Sequence, residues 1–293
     1  MSLNETLRTA LVDALGRHLE HPAELTSFQS VAGGSINQAY RAEAGGKVFF
    51  VKVNDAGPYP EMLDKEARGL EFIGTQSEFR VPRVIKTGIA AESQFLIAEF
   101  IKPAPETPGY WEKFGRRLAR MHRRSSATFG LEYDNYIGSM VQNNCRADTW
   151  AEFFVEQRLQ PQLKIARDFG RAGASMVRSF DKLFARAEEL FPNEPPSALH
   201  GDLWSGNFMT GADGHAVIFD PAVYFGHREM DIAMAQLFGG FDDEFYSGYH
   251  SEYPLEKDWN RRAEIANLYP LMVHVNLFGG GYAAQVREVL NRF

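Results

Sequence analysis

The sequence predicts an α+β fold in two lobes, strand-rich in its first third and mainly helical afterwards. Three observations carry that reading. Residues 27 to 53 and 82 to 101 hold short apolar runs of strand length, and glycine pairs separate the first three of them. Past the proline-rich connection KPAPETPG, apolar residues return at helical spacing and keep it almost to the last residue. One polar stretch, LHGDLWSGNFMTGADGHAVIFDPAVYFGHREMDIAM at 199 to 234, breaks the helical pattern and offers Asp202, Asn207 and Asp220 from loops beside strand-like segments.

The 293 residues are enough for one large domain or two lobes, and the composition shift puts the division at 1 to 101 and 102 to 293. With a net charge of -7 and no long basic cluster, the chain is a poor partner for nucleic acid. A phosphate pocket remains compatible with that charge, because a few local donors and a divalent cation reverse the field locally. The single cysteine, Cys145, excludes a disulfide within the chain. Without a basic-then-apolar leader or a long uncharged apolar stretch, the expectation is a soluble cytoplasmic protein with no membrane partner.

In chain order, Leu3, Leu7, Leu11, Leu15 and Leu19 recur every four residues, which fits an amphipathic helix ending near His21 and Pro22. Strands follow at about 27 to 32, 36 to 43 and 47 to 53. The turn between the first two, Gly33-Gly34-Ser35, is either a plain hairpin or a loop whose N–H groups approach a phosphate. Lys52 stands in the middle of VFFVKVN, as an exposed edge-strand lysine or as a buried one. If buried, it needs an acid partner. Glu66 supplies one, since it shares a helix face with Met62, Leu63 and Leu70. Two further strands fit 82 to 89 and 94 to 101, so that Glu99 to Lys102 sit at the junction of the lobes, a common place for a ligand cleft.

In the second part, Trp111, Phe114, Leu118 and Met121 mark one helix, with a solvated arginine face opposite. FGLEYDNYIGSMVQNN has little periodicity and reads as a loop. Two helical patterns cover 148 to 169, with a kink or restart at Pro161, and 172 to 190. Helices are also expected at 228 to 238, roughly 258 to 278, and 281 to 292.

Phosphoryl transfer needs a clamp on the phosphates, a carboxylate near the attacking hydroxyl, and donors for the spread charge. Asp202, after His200 and Gly201, suits the second of these. Asn207 and Asp220 offer the neutral and anionic oxygens that a hard cation such as magnesium takes. Taken singly, each of these residues has an ordinary structural reading as a cap, a turn residue or a strand-end acid. The combination HGDxxxxN, a dozen residues, then an acid after an apolar run, preceded by a strand lysine and a helix glutamate, points to a phosphotransferase.

These motifs, with VAGGSINQAYR, FFVKVN, DNYIGS, LHGDLWSGN and FDPAVYFGHREMDIAM, resemble the fructosamine kinase (ketosamine-3-kinase) family over nearly the whole chain. The family sits within the aminoglycoside-phosphotransferase-like and protein-kinase-like enzymes. The resemblance implies a bilobal protein-kinase-like fold with ATP at the lobe junction. It implies that Lys52 meets the phosphates and pairs with Glu66, and that Asp202 is the catalytic base or orients the hydroxyl. Asn207 and Asp220 would hold Mg2+, the Gly33-Gly34-Ser35 turn would cover the nucleotide, and the backbone of Glu99, Phe100 and Ile101 would receive the adenine. Substrates of such enzymes are ketosamines, free or on a glycated protein, phosphorylated on the sugar 3-hydroxyl in deglycation. Trp204, Asp134, Asn135, Tyr224, His227, Arg228 and Asp231 are expected to line or support an acceptor pocket, with a core aromatic as the alternative for Trp204 and a helix-start salt bridge for Arg228 and Asp231. Gly201 stands where protein kinases have the arginine of HRD, and Pro221-Ala222 where they have the Phe-Gly of DFG, so activation by loop phosphorylation is not expected. The residues also fit a kinase for another hydroxylated amine, such as an aminoglycoside, choline or an amino sugar, or an inactive kinase-like binding protein.

Overall fold

In the first lobe, side-chain alternation along one strand decides which face meets which helix. The computed structural model describes residues 4 to 31 and 36 to 293, so the Gly33-Gly34-Ser35 turn lies outside the described residues. The lobe runs α1 (Glu5–Leu19), β1 (Leu25–Ser30), β2 (Gln38–Ala44), β3 (Lys47–Asp55), α2 (Met62–Gln76), β4 (Val84–Ala90) and β5 (Ser93–Glu99). The five strands pair antiparallel in the order β1-β2-β3-β5-β4, with β3 in the middle. Phe49, Val51 and Val53 point to one face, where they are buried against Leu7, Leu11, Ala14 and Leu15 of α1. Each leucine so buried stabilises the lobe by about 2 kcal/mol. Asn4 starts α1 by accepting the Leu7 N–H at 2.8 Å. The period of two turns Phe50 and Lys52 to the opposite face, where Leu63 of α2 clusters with Leu96 and Ala98 of β5.

The rest of the chain is α3 (Tyr110–His122), β6 (Asn135–Ile137), β7 (Met140–Gln142), α4 (Trp150–Phe153), a π-helical turn (Phe154–Leu159), α5 (Gln160–Asp168), α6 (Ala174–Phe184), β8 (Ser197–Leu199), β9 (Phe208–Thr210), β10 (Ala216–Ile218), β11 (Tyr224–Gly226), α7 (Glu229–Leu237), α8 (Asp243–Glu252), α9 (Trp259–Ala266), α10 (Leu268–Phe278) and α11 (Tyr282–Leu290). This is the bilobal α+β architecture. α3 and α8 cross through glycines, because a methyl added at Gly115 would come within 2.0 Å of the Phe245 carbonyl oxygen and one at Gly248 within 2.3 Å of that of Glu112.

Four details differ from the sequence reading. Residues 135 to 142 form the β6–β7 hairpin within the expected loop. α8 answers to no helix read from the pattern. The single helix over 258 to 278 is two, separated at Asn267, where the main-chain N–H and carbonyl keep their bonds to Ala263 and Leu271 and the side chain donates to the Ala233 carbonyl at 2.9 Å. Ahead of Pro161 the helix does not restart. Its hydrogen-bond ladder widens to a π turn, with the Gln160 N–H on the Val155 carbonyl. Among the described residues, no helix is long and apolar enough to cross a membrane.

Candidate active site

Two pairs of very short strands deliver the acids. β8 pairs with β11 and β9 with β10. Asp202 and Asn207 therefore lie on the β8–β9 loop and Asp220 on the β10–β11 loop, side by side. The expected strand end at Asp220 is not quite where the strand stops. β10 ends at Ile218, and Asp220 sits two residues later in the left-handed region with φ 55°. That turn re-aims the carboxylate toward the first lobe, where it pairs with the Lys52 ammonium. Lys52 is 5% exposed and also donates to Glu66 at 2.8 Å. Burial works against the charge on Lys52, but the carboxylates of Asp220 and Glu66 outweigh it and hold the amine above its usual pKa. Glu66 is pushed up to about 7 by burial, partly offset by Lys52. The edge-strand alternative for Lys52 is thereby excluded.

The loops are laced to each other by His200. Its Nε2 lies 3.0 Å from the Phe219 carbonyl, which can only accept, so Nε2 carries the hydrogen and Nδ1 accepts the Asp202 N–H at 3.3 Å. Burial lowers the His200 pKa against the opposing pull of Asp231 and keeps the ring neutral. The Ala222 N–H donates to the His200 carbonyl at 2.9 Å. Gly201, at φ +82°, passes so close that an added methyl would stand 2.0 Å from the Ala222 carbonyl oxygen. Glycine at 201 and the Pro221-Ala222 sequence are thus two halves of one close contact, which no arginine side chain would permit. Asp231 fastens this turn from below, accepting the N–H groups of His200 at 2.7 Å and Gly201 at 2.8 Å, with His122 Nε2 at 3.2 Å.

Asp202 accepts from Asn207 Nδ2 at 3.0 Å, and the same amide nitrogen reaches the Asp202 carbonyl at 2.8 Å. Burial, and then the negative charges of Asp220 and Asp231, push the Asp202 carboxyl up to about 7, against the lowering effect of the Asn207 bond. With Nδ2 occupied in this way, Asn207 keeps Oδ1 as an acceptor. Asp220, its side chain 36% exposed, uses one carboxylate oxygen for Lys52. Among the described residues no group of three or more His, Cys, Asp or Glu forms a metal cage. A magnesium ion that arrives with a nucleotide takes only one or two protein oxygens and completes its shell from phosphate and water. The oxygens of Asn207 and Asp220 fit that requirement.

All five groups open into one cavity of about 820 Å³ between the lobes. One end is apolar, lined by Ala39, Phe50, Leu96, Ala98 and Met209, with Glu99, Phe100 and Ile101 along it. The peptide groups of Phe100 and Ile101 have no main-chain hydrogen bond among the described residues.

Of the expected acceptor residues, the structure brings only Trp204 and Asn135 to the cavity. Trp204 is 38% exposed. Asn135 is buried and donates to the Val223 carbonyl at 2.8 Å. Asp134 is exposed outside the cavity and accepts the Asn144 N–H at 2.7 Å. The other four are corrections. Tyr224 is buried with its ring stacked on Phe153 and the guanidinium of Arg158. His227 is fully buried near Trp150 and Phe191, and burial pushes its pKa down to about 4. Arg228 forks onto Glu194 at 2.6 and 2.7 Å and caps the Tyr253 and Pro254 carbonyls. Asp231 faces the underside of the catalytic turn. These side chains hold the site from behind, since the strand and helix that follow Asp220 lead into the core. The reading by sequence also missed Phe238, His274, Phe278 and Tyr282, which line the end of the cavity beyond Trp204. The signal was present as aromatic residues beside the glycine runs at 239 to 240 and 279 to 281.

A cleft of this kind between a sheet lobe and a helical lobe defines a phosphotransferase of the protein-kinase-like class. The solved aminoglycoside phosphotransferase APH(4)-Ia has the same fold, with a TM-score of 0.61 over 97% of this chain and 98% of that one, and its 15% identity speaks for the fold alone. Within that class the chain belongs to the fructosamine kinase family, whose model matches residues 7–293. It is 40% identical over 277 residues to a probable ketoamine kinase of Synechocystis, covering 92% of this chain and 91% of the relative. A protein-ribulosamine 3-kinase of Arabidopsis thaliana is 37% identical, with 92% and 83% covered. The crystal structure of a candidate fructosamine-3-kinase from Thermobifida fusca matches with a TM-score of 0.82 at 35% identity, over 92% of this chain and 94% of that one.

Proposed function

We propose that this protein is an ATP-dependent kinase that phosphorylates the sugar 3-hydroxyl of ketosamines, fructosamine or ribulosamine adducts on small amines or on proteins, as a step in deglycation. Membership of the fructosamine kinase family across nearly the full chain is the observation that carries the reading. The convergence of Lys52, Glu66, Asp202, Asn207 and Asp220 on one cavity supports it chemically.

The geometry supports the following roles within this proposal. Adenine lies in the apolar end, with its edge on the main chain of Phe100 and Ile101. Lys52, held by Glu66, meets the α and β phosphates, and the nucleotide supplies the negative charge that Asp220 gives Lys52 in its absence. Asp202 receives the proton of the 3-hydroxyl as that oxygen bonds to the γ-phosphorus, and the bond from phosphorus to the bridging oxygen of ADP breaks. Asn207 holds the Asp202 carboxylate in place through Nδ2, and its Oδ1 joins Asp220 in binding Mg2+. That ion supplies charge neutralisation at the phosphate oxygens. A lobe boundary after Ile101 puts this chemistry at the hinge. The one cysteine, Cys145, is exposed and unpaired, which supports a reducing, cytoplasmic setting.

The test supplies ATP and magnesium with ribuloselysine, fructoselysine, choline and an aminoglycoside, follows ADP release and maps the phosphate. Turnover on a ketosamine with phosphate on O3 is expected. Turnover confined to choline or the aminoglycoside would reject the substrate assignment.

A further inference from the structure

Beyond Asp202 the cavity continues over a surface that phosphoryl transfer does not use. Trp204, Phe238, His274, Phe278 and Tyr282 line it. Their rings are linked in series, with centroids 6.0 Å apart for Trp204–Phe238, 5.0 Å for Phe238–His274, 5.5 Å for His274–Phe278 and 4.9 Å for His274–Tyr282. Phe238 and Phe278 are 39% and 56% exposed, so large ring faces stand in solvent where burial would otherwise be favoured. Around them the lining residues Met234, Pro270, Val273 and Leu277 are uncharged. Methyl groups added at Gly239, Gly279 or Gly280 would meet nothing within 4 Å among the described residues, whereas one at Gly240 would meet Ser205 at 2.6 Å, so the shelf is open at those three positions. The His274 Nδ1 is 2.8 Å from the Pro270 carbonyl, which only accepts. Nδ1 therefore carries a hydrogen, and Nε2 is the ring nitrogen left for another partner.

We propose that this aromatic shelf is the subsite for the amine half of the ketosamine. The ring faces cover the hydrocarbon stem of a glycated lysine side chain and meet its secondary ammonium. The inference rests on the ketosamine-kinase reading. Aromatic faces attract both methylene groups and a cation, through burial and through the ring quadrupole. The shelf residues Trp204, Phe238, His274, Phe278 and Tyr282, with Met234, Pro270, Val273 and Leu277, carry no ammonium or guanidinium for an α-carboxylate, and the cations that line the cavity, Lys52 and Lys65, come from β3 and α2 of the first lobe. The shelf therefore selects a stem that ends in uncharged groups, as a lysine within a polypeptide does, over a free amino acid.

The experiment compares kcat/KM for the ketosamines of methylamine, pentylamine and free lysine, in wild type and in Phe238→Ala/Phe278→Ala. Wild type is expected to favour the pentylamine adduct over the methylamine adduct by about tenfold, ~1.4 kcal/mol, mostly through KM, with free lysine no better than pentylamine. In the double variant the pentyl-to-methyl ratio should fall toward one. Being a ratio, it is insensitive to partial loss of folded enzyme. Should the double variant fail to fold, Phe278→Ala alone gives the same readout at a more exposed position. An unchanged ratio in the variant, or a clear preference for free lysine over pentylamine, overturns the subsite. Absence of turnover on all three, with turnover on another hydroxylated amine, overturns the ketosamine reading and the subsite with it.

Discussion

An ionised carboxylate at Asp202 serves the proposed reaction and weakens the fold. In the unfolded chain this group titrates near the ordinary aspartate value, whereas in the folded protein its pKa is about 7. The folded state thus binds more protons across that interval, and this group's contribution to stability falls as pH rises from about 4 to about 7. Asp202→Asn keeps an oxygen for the Asn207 donor and removes the charge. It should raise thermal stability at pH 8 by roughly 2 kcal/mol, with the difference shrinking toward pH 4. Thermal unfolding of the nucleotide-free protein at the two pH values measures this, and equal stabilisation at both would contradict it. The same variant should lose about 10²–10⁴-fold in turnover, while ATP still binds. In wild type, kcat/KM should decline on the acid side of about pH 7 as the base becomes protonated. Single residues were legible in the sequence where burial imposed a demand. An ammonium within VFFVKVN required an acid at helical reach, and Glu66 is that acid. Tyr224 and His227 were misread as pocket residues, and Arg228 and Asp231 took their salt-bridge alternative, because closeness to Asp220 along the chain says nothing of which way a side chain faces.

Among the elements, the β6–β7 hairpin has the largest effect on the site relative to its size. Gln142, 1% exposed, donates from Nε2 to Asn135 at 2.7 Å and to the Ala222 carbonyl at 3.0 Å, and accepts from the Tyr269 hydroxyl at 2.9 Å. With the Asn135 bond to Val223, two consecutive carbonyls just beyond Asp220 are held by this hairpin. Gln142→Leu leaves the Ala222 carbonyl and the Tyr269 hydroxyl buried without those partners. It should lower stability by about 2–4 kcal/mol, whereas Val141→Ala, on the exposed side of the same strand, should stay within about 0.5 kcal/mol. Chemical denaturation of both separates the two, and equal effects would show that the network does not brace the loop. Elements with a long period were readable, namely α1, the sheet strands and α3. Those held by specific contacts were not. The hairpin strands are three residues each, too short to show alternation. α8 buries only Phe245, Gly248 and Tyr249 and docks through the close Gly115 and Gly248 crossing, and Asn267 between α9 and α10 is tied by its side chain to Ala233, a contact with no periodic signal.

At the scale of the whole molecule, Lys52 joins the lobes. Its strand belongs to the sheet, one of its acids lies on α2 and the other comes from the helical lobe, more than 160 positions away in the chain. In the proposed mechanism nucleotide and magnesium bind at that same junction, so their binding is expected to appear in global stability. A ligand at one hundred times its Kd stabilises the folded state by about 2.7 kcal/mol. With ATP and magnesium together the unfolding temperature should rise further than with ATP and a chelator, because the cation adds a link from the nucleotide to Asn207 and Asp220. Asp220→Asn removes the anionic half of that link and leaves the adenine end of the cavity intact. In this variant the stabilisation by ATP in chelator should persist, while the additional rise on adding magnesium should be largely lost. If the variant keeps the full magnesium-dependent rise, the cation is not held by Asp220, and the assignment of Asn207 and Asp220 as its ligands fails without touching the nucleotide pocket.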